Sequence, residues 1–129
     1  MDLSLDRPDD YLYVRHVDVG AITLADLELQ HSFLLAPNQV VENWPVENAS
    51  ALAAAHVENL LALQPELVML GTGARQVFPA AAFMAGFLRK GVGIEVMDNA
   101  AAARTYNLLA GEGRRVLAAF ILGGAATVS

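Results

Sequence analysis

Cysteine is absent from the 129 residues of this chain. That excludes disulfides, thiolate catalysis and cysteine-ligated zinc, and it fits a reducing compartment. Basic residues are scarce: eight Lys and Arg stand against fourteen Asp and Glu, a net charge of −6. An acidic domain repels the phosphate backbone, so no nucleic acid is expected as a partner. Anionic membrane surfaces are disfavoured by the same sign of charge. Long hydrophobic runs are missing too. The longest, Val116 to Val128, falls short of the ~20 residues that span a bilayer and is interrupted by two glycines and a threonine. No transmembrane segment is expected. The opening "MDLSLDRPDD" has neither a basic leader before an apolar block nor an Arg-rich presequence character, so the expected location is the cytoplasm.

What is present is apolar. Hydrophobic residues make up 55% of the chain, enough for the core of one domain over residues 1–129, with 1–10 and 124–129 expected to fray. The first 45 residues read as strands and turns. Around Gly20, Val17 and Val19 fall on one face, and Ile22 and Leu24 on another, the period of two of half-buried strands. "SFLLAP" is a further strand ending in a Pro37–Asn38 turn, and Pro45 marks "VVENWPV" as an edge strand or loop.

From residue 50 onward helix and strand alternate. Ser50 can cap a helix from Ala51 to about Gln64, with Leu52, His56, Leu60 and Leu63 at helical spacing and Pro65 stopping it. "ELVML" is a strand. A helix from Pro79 to Lys90 follows, with Gly91 beyond its end. "GIEVM" is the next strand. Asp98 caps a helix from Asn99 to about Ala110 that ends at Gly111 or Gly113. "RVLAAFIL" is the last strand. "LVML" and "VLAAFIL" barely alternate, which implies burial on both faces. The expected fold is an α/β domain with a central mixed, largely parallel sheet flanked by helices in three layers, and an N-terminal β-hairpin region.

The candidate sites follow from that topology. Open parallel sheets bind ligands beyond the carboxyl ends of their strands. Gly71, Thr72 and Gly73 sit at such an end, with Arg75 and Gln76 next to them, and free N–H groups there could hold a small anion. The dinucleotide fingerprint fails for want of a third glycine, and the phosphate loop for want of Gly-Lys-Ser/Thr. Asp98 lies at the end of the neighbouring strand. Tyr106 and Asn107 complete a polar cluster whose simpler reading is helix capping and packing. No catalytic residue is assigned. His16, His31 and His56 lack metal-ligand spacing, and no metal or other cofactor is expected. The helix "PAAAFMAGFLRK" is apolar on nearly every side, and Phe83, Met84, Phe87 and Leu88 are its candidates for either core or partner surface.

The order of "PELVMLGTG", "FP" and "GIEVMDNAAAARTYNLLAGEGRRVLAAFIL", with Phe33 and Trp44-Pro45 upstream, resembles a small family of single-domain proteins of unknown biochemical function. Its mitochondrial relatives are assembly factor 3 of respiratory complex I, the NADH:ubiquinone oxidoreductase. The likeness spans about residues 10–123, and this chain looks like a bacterial-type member. The resemblance implies a mixed sheet with one strand antiparallel to the rest, no established activity and no known cofactor. It also implies a role in building a membrane complex in company with a protein partner. The resulting expectation is a non-catalytic interaction domain, with a homo-oligomer open. The alternative is a small-anion or metabolite-binding module, or a cryptic enzyme, using Gly71–Gln76 and Asp98.

Overall fold

The computed structural model describes residues 11–122. The expected fraying at 1–10 and 124–129 lies outside the described residues. Among the described residues, eight strands and three α-helices make a mixed α/β domain. Strands β1 (His16–Val17), β2 (Ile22–Thr23) and β3 (Glu28–Leu29) form a small antiparallel sheet. The main sheet contains β4 (Phe33–Ala36), β5 (Gln39–Val41), β6 (Leu67–Gly71), β7 (Gly93–Met97) and β8 (Val116–Phe120), in the order β5-β4-β8-β6-β7. β6 pairs in parallel with both β7 and β8. β4 runs antiparallel to both β8 and β5.

The helices are α1 (Ala54–Leu61), α2 (Ala81–Leu88) and α3 (Asn99–Gly111). α2 carries the chain from β6 out to the edge at β7. α3 brings it back past β6 to β8. The direction reverses while the crossover hand stays fixed, so the two helices must cover opposite faces. The side chains divide accordingly. Leu34, Val68, Leu70, Leu117 and Ala119 pack with Val57, Leu60, Phe83 and Phe87 from α1 and α2. Phe33, Leu35, Met69, Ala118 and Phe120 pack with Ala102, Ala103 and Tyr106 from α3 and with Ile22 and Leu29 of the small sheet. Every residue of β4 and β8 is buried, which explains why these strands show no polar alternation. Phe33, Phe83, Phe87 and Phe120 are completely buried, each stabilising the fold by about 1.5–3 kcal/mol relative to exposure.

Three local expectations are corrected. The helix expected over residues 51–64 is broken. Asn48, not Ser50, caps a 3-10 turn at Ala49–Ala51 by accepting from the Ala51 N–H at 3.1 Å, and Leu52 then takes an extended backbone. Leu52 is inserted in the core in that extended form, and its burial outweighs its helix propensity. The helix expected to start at Pro79 starts at Ala81, because Pro79 is buried and Ala80 stays extended (φ −59°, ψ 149°). Val19 leaves the strand face: it sits in the turn closed by Asp18 N–H on the Ala21 carbonyl and is 74% exposed.

α3 fastens the N-terminal segment. The Asn107 amide treats Val14 as a strand neighbour, accepting its N–H at 2.9 Å and donating to its carbonyl at 2.9 Å. Two residues upstream on the same segment, the Leu12 carbonyl accepts from the hydroxyl of the neighbouring Tyr106 at 2.7 Å. Val14 is buried, so neither backbone group has water to fall back on. Asn107→Ala should therefore cost about 1–3 kcal/mol. Urea denaturation measures the loss, and hydrogen exchange should show it concentrated at the Val14 amide rather than in β6 or β8.

Candidate functional site

The strand ends bring the glycine loop and the start of α3 together. The Thr72 N–H donates to the Met97 carbonyl at 3.0 Å, and the Asn99 N–H to the Gly73 carbonyl at 2.8 Å. Adjacent strands β6 and β7 send their connections to opposite faces at this point, the position where open α/β sheets hold ligands. Here the position is filled from within. Asn99 is 3% exposed, and its Oδ1 accepts the Gly73 N–H at 3.1 Å while its Nδ2 donates to the Ile121 carbonyl at 3.0 Å. The Thr72 hydroxyl donates to the Arg75 carbonyl at 2.5 Å and accepts the Val77 N–H at 3.0 Å, tying the loop to itself. Three loop N–H groups that an anion would need are thus occupied by protein acceptors.

All but one of the remaining polar candidates have local partners. Asp98 accepts the Ala101 N–H at 2.8 Å, so the helix N-terminus that faces the loop already carries its own carboxylate. The Gln76 amide donates to the Val96 carbonyl at 2.8 Å. Arg75 is exposed. Tyr106 is buried, and burial, with Tyr11 nearby, raises its pKa above the ordinary 10, leaving it a neutral donor to Leu12. His56 Nδ1 accepts the Ala53 N–H at 3.0 Å at the start of α1.

The four apolar candidates of α2 separate. Phe83 and Phe87, four residues apart, turn inward and stack edge-to-face at 5.0 Å, so they belong to the core and not to a surface. Met84 is half-buried against the same core, and Leu88 is 64% exposed. Just upstream, Phe78 is 65% exposed.

The fold built around this rim has solved counterparts. A family model described as "Protein of unknown function (DUF498/DUF598)" matches residues 14–121. The chain belongs to that family. An NMR structure from Xanthomonas campestris is 47% identical, covers 96% of this chain and 94% of its own, and superposes with a TM-score of 0.81. A Bordetella pertussis protein described as a Mth938-like domain is 30% identical, with 94% and 92% coverage and a TM-score of 0.77. The DUF498/DUF598 chain thus has the Mth938-like fold. A relative from Francisella tularensis subsp. holarctica, named "13 kDa major membrane protein", is 30% identical over 117 residues, 90% of this chain and 95% of that protein. Among the described residues of this DUF498/DUF598 member, no helix is long and apolar enough to cross a membrane.

Two features escape sequence reading. One is Asn99, which follows a helix cap and reads there as an ordinary first-turn residue. The other is a cleft of about 600 Å³ at the opposite end of the sheet, where β6 and β8 begin, with Tyr11, Asn38, Gln64, Arg114 and Arg115 on its walls. Its lining is scattered from residue 11 to residue 117, so no short motif announces it. The only hint is the adjacent pair Arg114-Arg115 in an acidic chain. Arg114 Nε donates to Glu66 Oε2 at 2.7 Å, and the Arg115 N–H to the same oxygen at 3.1 Å.

Gly71 and Asn99 depend on each other. A Cβ on Gly71 would lie 2.3 Å from Asn99 Oδ1 and 3.0 Å from a Phe120 ring carbon. Gly71→Ala should cost about 1–3 kcal/mol as overpacking, and Asn99→Ala about 1–3 kcal/mol for groups left without partners. The double variant should lose less than the sum, by about 0.5–3 kcal/mol, since removing the amide relieves the closest contact. Chemical denaturation of the four proteins closes this cycle.

The hydrogen bond from Arg114, then that from the Arg115 backbone, holds the Glu66 pKa below its ordinary 4.5. A carboxylate depressed in the folded state contributes stability that is fully present above 4.5 and is lost as pH falls through the lowered value. The Tm difference between wild type and Glu66→Gln should therefore be greatest above pH 4.5 and vanish in stronger acid. Scanning calorimetry across that range reads it. The difference stays small, because the pair is exposed.

Proposed function

We propose that this chain is a non-catalytic docking domain that binds another protein and assists the assembly of a membrane or respiratory complex. The observation that carries the reading is the stretch from Val77 to Leu88, twelve consecutive residues without one polar side chain. A helix that buries one face normally turns charged residues outward on the other. α2 buries Phe83 and Phe87, yet its outer positions are Ala81, Ala82 and Leu88, preceded by exposed Val77, Phe78 and Ala80. Exposed apolar surface of this kind is the usual mark of a protein contact. The resemblance to complex I assembly factor 3 supports the assembly role, and the Francisella relative named as a membrane protein supports a partner at the membrane. In this reading the chain stays in the cytoplasm and docks from there. The rim at Gly71–Gln76 and Asp98 serves to shape the loop that presents Phe78.

Phe78→Asp and Leu88→Asp should leave stability within about 0.5 kcal/mol of wild type, since both side chains are exposed. The same changes should remove the proteins that co-purify with the tagged wild-type chain from detergent-solubilised cells, compared by isotope-labelled mass spectrometry. Equal recovery on wild type and variants would sink the docking surface. Deleting the chain from its host should lower the amount of assembled NADH:ubiquinone oxidoreductase on native gels. An unchanged amount would remove the respiratory part of the reading and leave the docking part standing.

A further inference from the structure

β7 is the last strand of the main sheet, and its outer side carries a short open ladder. Its parallel register with β6 sets Leu67 beside Gly93 and Gly71 beside Met97. The Met97 carbonyl accepts the Thr72 N–H, and the Gly93 N–H donates to the Glu66 carbonyl. Along a strand the N–H and C=O of one residue point to the same side, and successive residues alternate. Gly93, Glu95 and Met97 therefore turn their backbone groups towards β6, and Ile94 and Val96 turn theirs outward. The Gln76 amide agrees with this, since it reaches the Val96 carbonyl at 2.8 Å from the loop before α2. Among the described residues, no partner reaches the Ile94 N–H, the Ile94 carbonyl or the Val96 N–H.

Open edges recruit further strands, and proteins usually blunt them with proline, charge, bulges or short length. At the opposite edge β5 is three residues long, and the chain turns away at Asn43 (φ 60°). β7 is five residues long, unbroken in register and free of proline. Its one exposed charge is Glu95, at the centre of the strand.

We infer that the outer edge of β7 is a strand-addition site for an extended segment of another protein, running antiparallel to β7 with Lys or Arg opposite Glu95. The incoming residue opposite Ile94 exchanges both hydrogen bonds with it. The residue opposite Val96 gives its carbonyl to the Val96 N–H, and the Gln76 amide marks the end of the ladder. The residue between these two faces Glu95 at a position where cross-strand side chains approach most closely, so a cation is favoured there and an acid repelled. The same rule disfavours a second copy of this chain. The symmetric register that uses both Ile94 and Val96 sets Glu95 against its own counterpart. The net charge of −6 points the same way. This site rests on backbone geometry and not on the apolar Val77–Leu88 face, so either surface can fail without the other.

The test selects random octapeptides displayed on phage against the full chain and measures the winners by fluorescence polarisation. Enriched peptides should carry Lys or Arg between β-branched residues, and their binding should slow hydrogen exchange at the Ile94 and Val96 amides. Ile94→Pro removes an outward N–H without touching a bond to β6. It should weaken the selected peptides about fivefold, the worth of one ordinary hydrogen bond, whereas Ile94→Val should bind them as wild type does. Glu95→Lys should turn the selection towards Asp and Glu. It decides alone should Ile94→Pro lose its fold by circular dichroism. The inference is overturned if no peptide is enriched, if the winners show no basic preference, or if Glu95→Lys leaves the preference unchanged. Wild-type binding by folded Ile94→Pro, or dimerisation of the chain through β7, overturns it equally.

Discussion

The Asn99 side chain is the bond on which the carboxyl end of the sheet depends. One buried amide holds the glycine loop through Gly73 and the exit of β8 through Ile121. Its backbone N–H returns to Gly73, so loop and helix are clasped from both directions. The arrangement works only because Gly71 has no side chain: the amide oxygen lies where its Cβ would be. A buried amide left half-satisfied costs more than an apolar residue in its place, so the three hydrogen bonds act as a set. The crevice that many α/β proteins leave open for a ligand is, in this domain, a structural joint.

Around that joint the domain is economical. The three inner strands of the main sheet, β4, β8 and β6, are buried on both faces beneath short helices. Here α1 and α2 are eight residues each, and they cover one face by pairing with each other. On the other face α3 lies close to the sheet because its contact residues are Ala102 and Ala103. The small antiparallel sheet fills what α3 leaves, pinned through Asn107 and Tyr106. Large rings and small residues share this layer: the Phe33–Phe120 pair, at 5.2 Å, packs in the same cluster as Ala102 and Ala103.

What was legible in the sequence was whatever is decided locally. β7 is bounded as its apolar run reads, and Asp98 caps α3 because a carboxylate at that position meets a free N–H three residues on. Strands with no polar alternation are indeed buried twice over. The rim shared by Gly71–Gly73 and Asp98 follows from parallel pairing alone. What was not legible depends on distant partners. Asn99 is understood only beside Ile121, and Arg114 only beside Glu66. Leu52 has the spacing of a helix residue, yet the core claims it in extended form. Phe83 and Phe87 could not be told from surface residues, since an apolar helix without charges gives periodicity no contrast to detect. The cleft behind Arg115 gathers residues from five stretches of chain.

The position of β4 has a bearing on how the chain is made. It sits between β5 and β8, and Val116 comes eighty positions after Ala36. At the usual pace of synthesis this interval lasts about four to sixteen seconds. Throughout it a ribosome-bound chain carries the hairpin of β4 and β5 with one flank unsatisfied and Phe33, Leu34 and Leu35 uncovered. The main sheet therefore completes itself only once β8 has been made, and the yield of the fold depends on whatever shields residues 33–36 until then as much as on the stability of the finished sheet.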